Sequence, residues 1–530
     1  MIDILRTLNL RRTPQSLSAD PRQVPNSAGG HTFELDDAAR LRRFLILGVD
    51  GGTYYATDHA LALDNAAVLT RMAVNDPAGL VDVIVEVSTS GAAPKQNPAL
   101  FALAYAASVP ESAALALAAL PQVARTGTHL FLFAGYVEQF RGWGRGLRRA
   151  VAGWYTSKDA DALAHQVVKY RQREGWSHRD LLRLSHPVSS VPAVRDTFDW
   201  VVRGTAGAEL PQLVEGFMAA QQATDVPTWA RLVAEHGLTW EMLPDAALRE
   251  PGVWEALLDA GLPQTALLRQ LPRLTRLGLL PDLGGHTDLV TGQLVDGARL
   301  RRARVHPVNV LVAQRTYASG RSARGESSWV PTTKVVDALD EAFYAAFGAV
   351  AAAGRRMLLA VDVSGSMGAM ISGLPLSARE ASAALALVQL ATEPGSSAVG
   401  FTRAGGWDAP TGLTPLAISP RRRLDDALRA VRALPFGGTD CALPMLHAAQ
   451  QGLEVDVFVI YTDNETWAGS VHPHQALRAY REQTGIAAKL VVVGMTSTGF
   501  TIADPDDAGM LDIAGFDAAV PNLISQFARG

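Results

Sequence analysis

MLLAVDVSGSM, residues 357–367, decides the fold of the last third of this chain. A run of apolar residues ends in Asp362, and Ser364 and Ser366 follow at once. Such a run reads as a buried strand that delivers polar side chains at its C-terminal end. Working outward, AVGFTRAG, VDVFVIYTD and AKLVVVGM are further short, β-branched runs. Between them lie helical stretches: Ala378–Ala391, RRLDDALRAVRAL and HQALRAYREQ. Strands alternating with helices predict an α/β domain with a doubly wound parallel sheet over residues 351–530.

The polar residues collect where such sheets hold their ligands, outside the C-terminal ends of the strands. Asp362, Ser364 and Ser366 are joined by Thr439 of GGTD and Asp463 of YTDNET. Two carboxylates and three hydroxyls are hard oxygen donors, suited to a divalent cation such as Mg²⁺. The set contains no Cys or His, which argues against zinc. Ser364, Ser366 and Thr439 are expected to coordinate, with Asp362 and Asp463 acting directly or through water. A set this small leaves a position for water or a partner's carboxylate. Asp-x-Ser-x-Ser alone also describes an ordinary helix cap; the later Thr and Asp elements favour the metal. Asp440 reads equally well as a turn residue. This half resembles a von Willebrand factor A domain with its metal-ion-dependent adhesion site.

Upstream the pattern is helical. In DDAARLRRFLILG, Leu41, Phe44 and Leu45 recur at helical spacing, and Asp36 or Asp37 can cap the start. DNAAVLTRMAVND, NPALFALAYAASV, ESAALALAALPQVA, DALAHQVVKYRQR, HRDLLRLSH, VWEALLDAG and TALLRQLPRL follow with short joints. Consecutive helices with short joints predict stacked pairs, an α-solenoid, over residues 31–350. Residues 1–30, with Pro14, Pro21 and Pro25, read as an extended N-terminal arm. The joint Ala345–Arg356 reads either as a hinge or as a rigid link. DGGTYY, residues 50–55, reads as a helix-ending turn.

The 530 residues suffice for two domains with real cores. A net charge of −4 places any nucleic-acid surface in local patches. The single cysteine, Cys441, excludes an intrachain disulfide and suits a reducing compartment. The N-terminus does not read as a signal peptide, and no apolar run is long enough to span a bilayer. A cytoplasmic protein is expected.

Two segments are basic. RGWGRGLRR, residues 141–149, holds four arginines and no acid. KYRQREGWSHRDLLRLSH, residues 169–186, interleaves Lys169, Arg171, Arg173, Arg179 and Arg183 with Tyr170 and Trp176. Lys169 and Arg173, four apart, are expected on one helical face. Arginine grips phosphate through its planar fork, and an aromatic beside it can stack an unpaired base. The alternative is a solvated helix face with Trp143, Tyr155, Tyr170 and Trp176 in the core.

The chain as a whole resembles a Ro autoantigen, a TROVE module of HEAT-like helical repeats followed by a von Willebrand A domain. RLRRFLILGVDGGTYY, GRGLRRAVAGWY, VVKYRQREGWSHRDLLRLSH, RVHPVNVLVA, LLAVDVSGSM, GGTDCALPM, YTDNETWAG and KLVVVGMTSTGFTIADPDD carry the resemblance. It implies a bacterial member whose repeats close into a monomeric ring with a basic hole. It implies binding of Y RNAs and of the single-stranded 3′ ends of misfolded or immature RNAs. An exoribonuclease partner is implied too, in RNA maturation or decay. The family's Y RNA contacts fall on Lys169, Arg173 and His186; Arg145, Arg148 and Arg149 are further phosphate candidates on their chemistry. The N-terminal arm does not match well. No catalytic residues are assigned, and the protein is expected not to be an enzyme. The rival expectation is a metal-dependent protein-binding scaffold without RNA. A metal hydrolase is disfavoured because the site lacks a carboxylate cluster for two metals.

Overall fold

The computed structural model describes residues 13–48, 58–173, 175–322, 326–348, 350–371, 376–405, 411–416, 418–419, 424–434 and 437–530. The turn expected at 50–55 lies outside them.

The strands, in chain order, are β1 (Gln23–Pro25), β2 (His31–Glu34), β3 (Gln172–Arg173), β4 (Trp176–Ser177), β5 (Met357–Asp362), β6 (Ser397–Phe401), β7 (Leu413–Pro415), β8 (Val457–Thr462), β9 (Lys489–Gly494), β10 (Phe500–Thr501) and β11 (Met510–Ala514). The main sheet runs β11-β9-β8-β5-β6-β7. Its strands are parallel except β7, which pairs antiparallel with β6 at the edge. Every residue of β5 and β8 is buried, as their unbroken apolar runs require of strands covered on both faces.

The first half is a succession of packed helices. Pro77–Ser90 packs on Pro110–Val123, which packs on Arg145–Thr156, which packs on His178–Ser185. Further round, Gln264–Arg276 packs on Pro307–Ala318, and Thr333–Ala346 covers the latter. Caps expected from sequence are present: the Asp36 carboxylate accepts from the Ala39 amide to start Asp37–Leu47.

The succession closes on itself. His306 and Asn309, near its end, reach the loop at 92–94, near its start. His306 Nε2 lies 3.0 Å from the Ala92 carbonyl, and Asn309 Nδ2 lies 3.3 Å from that of Pro94. The same His306 nitrogen lies 2.6 Å from the Phe516 carbonyl of the α/β half. Nδ1 accepts from the Val308 amide at 3.1 Å, so Nε2 carries the proton.

The N-terminal segment is not a free arm. From residue 13 onward it is docked on the α/β half, and β2 pairs with β1 on one side and β10 on the other. Polar residues misled the expectation, because their partners lie more than 400 positions away: Gln15 is fully buried among the loops before and after β8. The helix Asp37–Leu47 is tied down as well, through Arg43, whose Nη2 contacts both Asp512 oxygens at 2.6 Å. The joint at 345–356 is anchored: the buried Glu393 carboxylate accepts from the amides of Ala353 and Gly354. Arg529 donates to the carbonyls of Ala351 and Ala352. These ties make it a fixed link.

Among the described residues, no helix is long and apolar enough to cross a membrane.

Candidate metal centre and nucleic-acid interface

Strand pairing assembles the oxygen-rich cluster. β5 lies beside β8, so Asp362 at the end of one meets Thr462 and Asp463 at the end of the other. Asp362 Oδ1 accepts from the Ser364 amide at 2.8 Å and Oδ2 from the Thr462 hydroxyl at 2.8 Å. The Ser364 and Ser366 hydroxyls are 3.0 Å apart. Arg379 donates to the carbonyls of Val363 and Ser364 at 2.7 and 2.9 Å, fixing the loop that carries the serines. Thr439 is delivered by a tight turn in which a Cβ on Gly437 would fall 2.5 Å from Thr402 Oγ1.

All five candidate residues, Asp362, Ser364, Ser366, Thr439 and Asp463, are buried. Burial pushes both carboxyls above the usual range, Asp362 further because the Asp463 charge is its neighbour. Asp463 Oδ1 accepts from the Glu465 amide at 3.1 Å, whereas Asp463 Oδ2 and Thr439 Oγ1 are buried without a hydrogen-bond partner. Buried polar atoms are almost always paired, so two orphans beside repelling carboxylates fit a bound cation. Among the described residues no three His, Cys, Asp or Glu side chains gather as a ligand group. A cation here would therefore rely on the hydroxyls, which favours a hard ion that retains water.

Sequence reading missed the residues that hold these loops. Gln15 Nε2 donates to Asp440 Oδ1 at 2.8 Å and to the Val471 carbonyl at 2.9 Å. Its Oε1 accepts from the Thr466 hydroxyl at 2.6 Å and the Gly469 amide at 3.1 Å. One side chain thus joins the Thr439 loop to the Asp463 loop. Asp440, pushed up to about 6 by burial, serves as a turn residue and a brace at once: its Oδ1 accepts from the Ala442 amide at 3.1 Å and from Gln15. Glu465, pushed up to about 8 by burial and the Asp463 charge, accepts from the Ala28 amide at 2.9 Å. No local signal marks Gln15, since its partners lie at the other end of the sequence.

The basic segments meet on the helical half. The helix Arg145–Thr156 exposes Arg145, Arg148 and Arg149 in its first turns, where no acidic residue stands. Positive charge at a helix N-terminus opposes the helix dipole, so these arginines do not serve the helix. This helix packs on His178–Ser185.

Lys169 and Arg173 do not share a helical face. The helix ends at Lys169, and the following residues form the β3–β4 hairpin. Gly175 at φ 79° turns the chain, and Ser177 with Asp180 opens a new helix through a capping box. Arg173 is exposed on this hairpin and makes no ion pair among the described residues. Lys169 is largely covered, its Nζ 3.9 Å from Glu241. His186 is exposed at the end of its helix, in the left-handed region at φ 48°. Arg179 and Arg183 are exposed on that same helix.

The aromatics divide. Tyr155 is buried and hydrogen-bonded to His178, itself pushed down to about 3 by burial; both are core. Trp143 and Trp176 are half-buried and pack on one another, 5.6 Å between rings.

Comparison with known proteins agrees with this architecture. The TROVE domain model matches residues 24–224 and 228–316, and the Ro60 vWA domain model matches 356–528. The chain is 43% identical to "RNA-binding protein RO60" of Deinococcus radiodurans, covering all of both chains. It is 35% identical to "RNA-binding protein RO60" of Caenorhabditis elegans, covering 98% of this chain and 92% of the relative. The crystal structure of the Deinococcus radiodurans RO (RSR) protein matches with a TM-score of 0.68 at 42% identity, over 93% of this chain and all of that one. The TROVE match begins at Val24, inside the segment the sequence reading set apart.

Proposed function

The chain belongs to the Ro60 family of TROVE and von Willebrand A proteins, and on that premise we propose that it binds RNA and is not an enzyme. The observation that carries this reading is the set of exposed basic residues Arg145, Arg148, Arg149, Arg173, Arg179, Arg183 and His186 on two packed helices and one hairpin. Among the described residues none of these arginines makes an ion pair. Phosphate contacts supply most of the affinity, so sequence preference is slight and salt weakens binding.

The finer assignment is to Y RNAs and to single-stranded 3′ ends of misfolded or immature RNAs, handed to an exoribonuclease. The ring form supports it, because a closed ring favours a free end over a duplex. A metal centre of Asp362, Ser364, Ser366, Thr439 and Asp463 would hold Mg²⁺, offset the two carboxylates and offer a position to a partner's carboxylate. The orphaned Thr439 and Asp463 oxygens support the cation.

The test is binding of a labelled hairpin RNA, with and without a single-stranded 3′ tail, at two salt concentrations. Tight, salt-sensitive, tail-dependent binding is expected. Absence of binding under all conditions would leave the metal-dependent scaffold as the better account.

A further inference from the structure

We propose a second RNA site, on phosphate, laid across the closure of the ring and formed by Arg125, Arg301, Arg302 and Arg304; the inference rests on the RNA-binding reading above. Of these residues only Arg304 stands in a motif quoted from the sequence, RVHPVNVLVA, and it has no role assigned there. The four come from opposite ends of the helical succession and meet only because the ring closes.

Arg304 follows the short helix Gly297–Arg302 and takes the left-handed conformation at φ 49°, a geometry that an arginine rarely adopts. Its stem lies against the end of Pro77–Ser90: a Cβ on Gly91 would sit 3.7 Å from Arg304 Cβ. Arg125, half-buried just beyond Pro110–Val123, donates to Ser88 Oγ at 2.8 Å. Its guanidinium is held below its ordinary value by burial and then by the Arg304 charge, so two like charges face one another at the seam. Arg301 and Arg302 are exposed on the short helix that leads to Arg304; the Arg301 side chain runs back along it, past Gly297 and Gly348.

Among the described residues none of the four makes an ion pair. The acid nearest in sequence, Asp296, caps the helix by accepting from the amides of Ala298 and Arg299, and it also feels the Arg302 charge. Arg299, by contrast, is spent on the Leu262 carbonyl and is left out of the site. Arginines without an ion pair, two of them facing one another, suit a polyanion. The planar forks suit non-bridging phosphate oxygens. An RNA strand on this site touches both ends of the succession at once, so binding and closure support each other.

The experiment uses the full chain and a labelled hairpin RNA, with and without a 3′ tail. Arg301, Arg302 and Arg304 are all replaced by Gln; all three are exposed, so folding should be retained. The slope of log affinity against log salt should flatten by roughly 0.7–0.9 for each phosphate no longer neutralised. Affinity at ~100 mM salt should fall at least about tenfold, since several phosphates lose their arginines together. A control replaces Arg355, Arg429 and Arg478 of the α/β half by Gln. An unchanged slope in the seam variant, or an equal change in the control, would overturn the site. If only the tailed RNA responds, the seam holds single strand; if both respond, it holds duplex; either supports the site. Loss of slope in an Arg173→Ala variant but not at the seam would sink this inference while leaving RNA binding intact. Failure of the unaltered protein to bind would remove both.

Discussion

Nε2 of His306 donates to the carbonyl of Phe516 at 2.6 Å, and that single ring joins the end of the helical succession to its start and to the α/β half. Phe516 itself stands in the left-handed region at φ 66°, which turns its carbonyl toward the imidazole. His306→Ala strands two buried carbonyls, at an expected loss of about 1–3 kcal/mol. Amide exchange near residues 92–95 and 305–309 should accelerate, while exchange in β5 and β8 stays slow. Uniform exchange behaviour in the variant and the parent would show that the seam is held elsewhere.

Acid should weaken the fold through its buried histidines. Burial holds His306 at about 4 and His178 at about 3, against ~6.5 in an unfolded chain. Above that value both states are neutral and pH has no leverage. Below it the unfolded chain takes up protons that the folded one refuses, so stability falls as pH drops from ~6.5 toward the folded values. In a thermal melt series from pH 7 to 5 the midpoint should fall less, or rise more, in His306→Gln than in the parent, because the raised carboxyls of Asp440 and Glu465 act in the opposite sense equally in both proteins. An identical pH dependence in the two would contradict the burial of the His306 ring.

Gln15 braces the loops of the candidate metal centre from outside the domain that carries them. Gln15→Ala should lower the melting midpoint by several degrees, as expected for losing buried hydrogen bonds worth about 1 kcal/mol each. It should also weaken Mg²⁺ binding several-fold in calorimetric titration, because the loops of Thr439 and Asp463 lose their common brace. Equal Mg²⁺ affinity with a lowered midpoint would confine Gln15 to folding.

Arg173 and Lys169 should differ in RNA binding. Arg173 is exposed, whereas Lys169 already sits beside Glu241. Arg173→Ala should flatten the salt dependence by roughly 0.7–0.9, with a smaller effect from Lys169→Ala. The reverse ranking would mean that RNA displaces Glu241 from its lysine.

Mg²⁺ should raise the melting midpoint of the unaltered protein by mass action. Asp463→Asn should abolish that rise. Without metal the variant should be at least as stable as the parent, since one of two repelling buried charges is gone. A Mg²⁺ response surviving in both Asp463→Asn and Thr439→Val would move the cation elsewhere.

What the sequence made legible was what is local. Asp362, Ser364, Ser366 and Asp463 are legible because Asp362 ends one buried strand with the serines close behind it and Asp463 directly follows another; strand order then brings them together. The oxygen cluster needed no knowledge of distant partners. The hairpin at Gln172–Ser177 was hidden, because Lys, Arg and Gln suit a helix and only Gly175 and the Ser177 cap break it. The long-range roles of Gln15, Arg43 and His306 were hidden for another reason: the hydrogen bonds that tie them to the α/β half span more than 200 residues, and no periodicity encodes such a pairing.

The docked N-terminal segment has a consequence for how the chain is made. Synthesis delivers residues 13–34 before the α/β half, yet β2 needs β10, and Gln15 needs the loops around 440 and 469. These early residues are therefore among the last to find their places. Until then β2 lacks one neighbour and Gln15 lacks every partner in the later half, while the helices between them can already pack locally. A ribosome stalled near residue 430 should hold a helical half resistant to protease and a leading segment that is cut. This segment thus acts as a late fastening, set only once β10 and the loops around 440 and 469 exist to receive it.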